Sequence, residues 1–173
     1  MARTPVIRRL RPEDGPAEGR TSRDRDQRGA VVVEFALIVP MLLLIVFGIL
    51  DFGYMLNRNT IVSNASRDGA RTASLDGSYA DICTTVKSEL QDSGISVPTA
   101  CTATTGSTII KIDCKKVDNT ACNATSTTYD TLAVSGATAI VTITYTYTYI
   151  TPLIGQLFGS TEVFTQTTQM RVE

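Results

Sequence analysis

The residues whose types and spacing could do chemistry sit together near position 30. Arg28, Gly29 and Ala30 precede three valines, and Glu34 and Phe35 follow them. Glycine has no Cβ, so its backbone can lie extended in a narrow protease cleft. The chemistry this pattern suggests is hydrolysis of the peptide bond after Gly29. The cut would expose the amine of Ala30, which is largely cationic at neutral pH because its ordinary pKa is about 7.7–8.0. Glu34 would supply the opposite charge, within the same chain or from a neighbouring one. An ionisable side chain inside a membrane costs about 2.5–3.5 kcal/mol at mid-bilayer on insertion scales, so it is a functional candidate by default. The plainer reading is that Glu34 only reaches back to the membrane surface.

Other chemistries are poorly served. The chain contains no histidine, which removes Ser-His-Asp and Cys-His catalytic sets and His-ligated zinc. Its four cysteines, at 83, 101, 114 and 122, have no C-x-x-C spacing, and zinc clusters need close ligand pairs. No Gly-rich phosphate loop occurs. Sixteen basic residues nearly balance seventeen acidic ones, so no charge excess points to nucleic acid. The chain is read as a non-enzyme with no catalytic residue, cofactor or metal. Asn64-Ala65-Ser66 and Asn123-Ala124-Thr125 are sequons in a chain rich in Thr and Ser, and are read as chance matches.

Four segments must position the 29–35 group. Residues 1–29 carry eight arginines against five acids, with three prolines among them, and read as a basic, disordered leader. Residues 30–50 are apolar except for Glu34; a helix of that length spans roughly 30 Å, the thickness of a bilayer core. The arginine-rich flank then keeps the leader cytoplasmic and sends the remainder outside. A cleaved secretory signal fits less well, because the apolar run is too long and no A-x-A site closes it.

Residues 51–75 extend the helix into water, giving one helix of about 45 residues by its uninterrupted periodicity. Phe52, Met55, Val62, Ala65, Gly69 and Ala73 form its apolar stripe, and the small residues Ala65, Gly69 and Ala73 permit close packing of another helix or a sheet. Arg58, Arg67, Asp68 and Arg71 read as a solvated face. Residues 76–173 form a small exported α+β domain. Ser78 caps a short amphipathic helix from Tyr79 to about Asp92, stopped by Gly94. Antiparallel strands are expected at 108–113, 141–149 and 162–172, the middle one alternating Thr with Val, Ile and Tyr. Leu153, Ile154, Leu157 and Phe158 between the last two strands read as a cap on the core, or alternatively as an interaction patch. In an oxidising compartment the cysteines allow three full pairings. The sequential one is expected: Cys83–Cys101 tying the short helix to the loop after it, and Cys114–Cys122 closing a polar loop, each worth about 2–4 kcal/mol.

The segment from Gly29 to Phe35 resembles a type IV prepilin peptidase site in its Flp-type form. Over residues 29–74 the chain is similar to the TadE-like family, pseudopilins of the tight adherence pilus machinery. Glu34-Phe35, Pro40, Asp51-Phe52-Gly53 and the stretch from Ala65 to Ala73 with Gly69-Ala70-Arg71 carry the likeness; the ending Met170-Arg171-Val172-Glu173 adds a weaker one. The resemblance implies a pilin-like fold and cleavage between Gly29 and Ala30 by an aspartic prepilin peptidase. It further implies assembly contacts through Glu34 and Phe35, with other pilins or pseudopilins, the assembly platform and membrane lipid as partners. Ala30 stands where many type IV pilins have an N-methylated Phe, a departure that leaves methylation open. The competing reading is an exported binding or adhesin domain on a plain membrane anchor; a mature N-terminus at Ala30 rather than at Met1 or Ala2 separates the two.

The charge bias sets a topology. In intact cells an impermeant thiol reagent should label a cysteine introduced at position 130 and spare one at position 10; the reverse pattern inverts the orientation.

Overall fold

The computed structural model describes residues 21–173. The leader's expected disorder over residues 1–20 lies outside the described residues. Helix α1, Thr21–Ser74, runs for 54 residues and passes through Pro40. It is longer than the periodicity of 30–74 suggests, because residues 21–29 are helical rather than disordered. The stretch from Thr21 to Arg28 has no proline or glycine. Extending an existing helix needs no new nucleus, so a polar segment of this kind can join it.

Contacts divide the chain between Leu43 and Leu44. In the N-terminal unit, Val31, Val32, Val33, Phe35, Leu37 and Met41 are all exposed. The stretch from Gly29 onward is apolar and long enough to cross a membrane.

The second unit, Leu44–Glu173, holds the α+β core. After α1, Asp76 takes a left-handed conformation (φ 61°). Helix α2, Tyr79–Asp92, starts with a full capping box: Ser78 Oγ accepts from the Asp81 amide, and Asp81 accepts from the Ser78 amide. Its buried face is Ile82, Val86 and Leu90. Gly94, at φ +71°, ends it and lets the Ile95 amide return to the Leu90 carbonyl, the turn that glycine closes most cheaply.

Strands β1 (Thr108–Lys115), β2 (Thr138–Thr148) and β3 (Thr161–Arg171) form an antiparallel sheet in the order β1-β2-β3. Thr108 lies opposite Tyr145, and Thr148 opposite Thr161. Alternation puts Ile110, Ile112, Val141, Ile143 and Tyr147 inward. The other face carries cross-strand hydroxyl pairs, Thr142 with Thr167 and Thr144 with Thr165. Two short helices, α3 (Tyr129–Leu132) and α4 (Pro152–Phe158), fall in the connections. Buried Tyr129 belongs to the core although its flanking sequence has no period.

The 51–74 half of α1 lies along the sheet. Asn59 Oδ1 accepts from Gln166, Ser66 Oγ is 2.8 Å from Thr168 Oγ1, and the Glu173 amide donates to the Ser74 carbonyl. Ala65, Gly69, Ala70 and Ala73 are buried there. At Gly69 a Cβ would stand 2.4 Å from Val86 Cγ2 and 3.4 Å from Val141 Cγ1, so both α2 and the sheet approach the bare helix backbone. The cysteines pair in chain order: Cys83 with Cys101 and Cys114 with Cys122. The Cys114–Cys122 loop is pinned by Asp113, whose Oδ1 accepts the Cys114 and Ala124 amides.

A methyl group at Gly69 should cost more through overpacking, about 1–3 kcal/mol, than the roughly 1 kcal/mol its helix propensity returns. Gly69→Ala should therefore lower stability in denaturant unfolding of the detergent-solubilised chain, and adding Val86→Ala should recover part of the loss. A single variant as stable as the parent would contradict this packing.

Candidate functional site

Gly29, Ala30, Glu34 and Phe35 all lie on α1, and all are exposed. A Cβ at Gly29 would meet nothing within 4 Å outside the helix's own backbone, and the residue lies within the helix rather than in an extended segment. Ala30 and Glu34 are four residues apart and therefore share one face of the helix, one turn from each other.

Ala65, Gly69 and Ala73 have a different environment. They are enclosed by the chain's own α2 and sheet, as described above, and their close packing is intramolecular. Arg58 corrects an expectation. It is not part of a solvated face but half-buried, with its guanidinium 4.6 Å from the centre of the Tyr54 ring and a bond to the Tyr54 hydroxyl. Its Nη1 donates to the Ser93 carbonyl at 2.6 Å. Ser93 is the C-cap of α2, whose last turn has no basic residue of its own. Arg58 thus supplies the positive charge that a helix C-terminus favours. Arg67 and Arg71 are exposed.

The most connected polar group lies where the apolar run ends. Asp51 is 2% exposed, and its carboxylate accepts four hydrogen bonds. Oδ1 takes the Tyr147 hydroxyl at 3.2 Å and the Ile150 amide at 2.9 Å. Oδ2 takes the Thr151 amide at 3.1 Å and the Thr151 hydroxyl. A buried carboxylate is tolerated only with such partners. Burial pushes the Tyr147 hydroxyl up to about 12, with further contributions from the Asp51 charge and hydrogen bond, so Tyr147 remains a donor. The arrangement ties the chain leaving β2 to α1. Beyond Tyr149, whose amide still donates to the Ser160 carbonyl, the chain leaves the sheet because the Ile150 and Thr151 amides are committed to Asp51. In the sequence Asp51 stood out only through the family pattern. A lone acid after an apolar run and a Thr-Pro pair a hundred residues later give no local sign of meeting.

Beside this node is a pocket of about 420 Å³, lined by Gly48, Asp51, Phe52, Met55, Tyr149, Ile154, Glu162 and Phe164. Ile154 is buried, but against this end of α1 and not in the main core cluster. The cap expected of that segment is therefore local. Among the described residues no three His, Cys, Asp or Glu side chains gather as metal ligands.

A family model described as TadE-like protein matches residues 29–71. No curated protein matches the chain, and no solved structure does. Over that quarter of the chain the sequence is similar to the TadE-like family.

Removing the Asp51 acceptor should strand the donors that surround it, at about 1–3 kcal/mol for each buried group left unpaired, whereas losing a single neutral donor costs about 1 kcal/mol. Asp51→Ala should accordingly destabilise the domain much more than Tyr147→Phe, and should speed amide hydrogen exchange at Ile150 and Thr151. Equal effects of the two variants would mean that the carboxylate does not organise this turn.

Proposed function

We propose that this chain is a pseudopilin or minor pilin-like component of a tight adherence, Flp-type pilus. A prepilin peptidase cuts it after Gly29, and its N-terminal helix packs with other pilins or pseudopilins on the assembly platform. It sits once across the cytoplasmic membrane, with the leader in the cytoplasm and the disulfide-containing domain outside, and acts as a structural part.

The observation that carries this reading is the start of the family match at Gly29 itself, the residue whose backbone suits a protease cleft. Two structural features support it. The side chains following Gly29 are apolar and exposed, so they need lipid or neighbouring helices to cover them. The small-residue stripe at Ala65, Gly69 and Ala73 is already used inside the chain, which directs subunit contacts to residues 30–50. Within that run Glu34 is the single charge. Paired with an Ala30 amine, it would give a helix in lipid one specific polar contact among many unspecific apolar ones.

Gly29 and Glu34 should fail differently when replaced. Gly29→Val places a β-branched side chain where the peptidase grips the backbone, so cleavage should fall sharply and the leader should remain. Glu34→Ala should still be inserted and largely cut, while co-purification with other pilus components drops; Glu34→Asp should recover part of it. Immunoblot size, N-terminal mass and co-purification from membranes measure both steps. Normal cutting of Gly29→Val, or a mature N-terminus at Met1 or Ala2, would sink the prepilin reading in favour of a plain anchored domain. Normal assembly of Glu34→Ala would make the carboxylate a bystander.

A further inference from the structure

We propose that the turn and short helix at residues 150–158 are a second membrane contact, lying in the interfacial layer of the bilayer that residues 30–50 cross. The inference rests on the reading of 30–50 as a membrane span and adds to it a lipid-facing surface on the folded domain.

Three observations converge. The first is depth. Ile154 Cδ1 lies 3.9 Å from where a Cβ on Gly48 would be, and Gly48 is inside the apolar run, three residues before Asp51. At about 1.5 Å per residue, α4 packs roughly 4–5 Å short of the level of Asp51, on the lipid side of the run's end. The Asp51 carboxylate holds the Ile150 and Thr151 amides at that level, so the segment cannot lift away while those bonds persist.

The second observation is composition. From Tyr149 to Gly159 there is no charged residue, and the α4 sequence is PLIGQLF. Short apolar segments with tyrosines at their edge suit the boundary between headgroups and acyl chains. The first charge after the segment is Glu162, which is exposed.

The third is unexplained exposure. Ile150 is 63% exposed, at the same end of the domain as Leu50 (61%) and Phe52 (57%). Leu50 belongs to the span, so lipid covers it. Ile150, whose amide is held by Asp51, and Ile154, beside Gly48, carry that apolar surface onto the folded domain. Exposed large apolar groups that adjoin one another need an occupant. Continuity with the span makes that occupant the lipid surface rather than a second copy of the chain.

The chain has no tryptophan, so single introduced tryptophans report their own surroundings. Full-length Ile150→Trp would be reconstituted in phosphatidylcholine vesicles with or without shallow acyl-chain bromination. Val46→Trp serves as the marker of the span, and Val117→Trp, exposed at the opposite end of the sheet, as the marker of water. Ile150→Trp should emit to the blue of Val117→Trp and lose most of its fluorescence to the brominated lipid. If Val46→Trp is quenched and Ile150→Trp is not, the second contact is overturned while the span stands. Blue-shifted emission at position 150 that ignores bromine would put a second copy of the chain on the patch, and also overturns it. No quenching at either position removes the span and the contact together.

Discussion

Between Ala65 and Ala73, α1 comes so near to α2 and the sheet that a single methyl group at Gly69 would overlap Val86. Much of the domain follows from this approach. A helix that close brings Val62 and Ala70 into the core with Val141, Ile143 and the inner face of α2, in place of the thicker side-chain layer that usually separates helix from sheet. It also fixes the helix lengthwise. With Gly69 set against Val141, Asp51 falls beside the end of β2, and Ser74 beside the C-terminal residue Glu173. The polar contacts at the two ends are consequences of a register set by small residues in the middle.

One helix thus carries two different surfaces. Its 51–74 half is a core element with narrow, small-residue packing and hydrogen bonds to side chains on β3. Its 30–50 half is covered with large, exposed apolar groups and has one carboxylate. The difference is readable as side-chain size: Gly and Ala where the partner is the chain's own sheet, Val, Leu, Ile and Phe where the side chains are exposed.

The parts legible in the sequence are those in which a residue's surroundings follow from its near neighbours. Ser78 and Asp81 write the start of α2, Ile82, Val86 and Leu90 write its buried face, and the Thr/Tyr alternation writes β2. The helix from 30 to 74 is equally plain from its period. Elsewhere distant partners decide. Arg58 looks like a solvated charge until the end of α2 is placed beside it. Asp51 looks like the first water-facing residue after an apolar run, yet it is buried because the chain returns at Ile150 and Thr151 with donors. Tyr129 is a core residue in a stretch of Thr, Ser and Asn that has no period to reveal it. Around Gly29 and Glu34 the sequence says more than the fold does, since both are exposed and meet no other element of the chain.

The two disulfides enclose separate and short stretches of chain, their paired positions 18 and 8 residues apart in sequence. Neither loop crosses the other, and neither includes a residue of α1. A chain delivered progressively from its helical end can therefore oxidise its first pair before the second has emerged. Each cysteine then meets its own partner before a competitor is present. Such an order makes oxidation almost free of mispaired intermediates, and lets the domain mature without the reshuffling that interlocked bridges require.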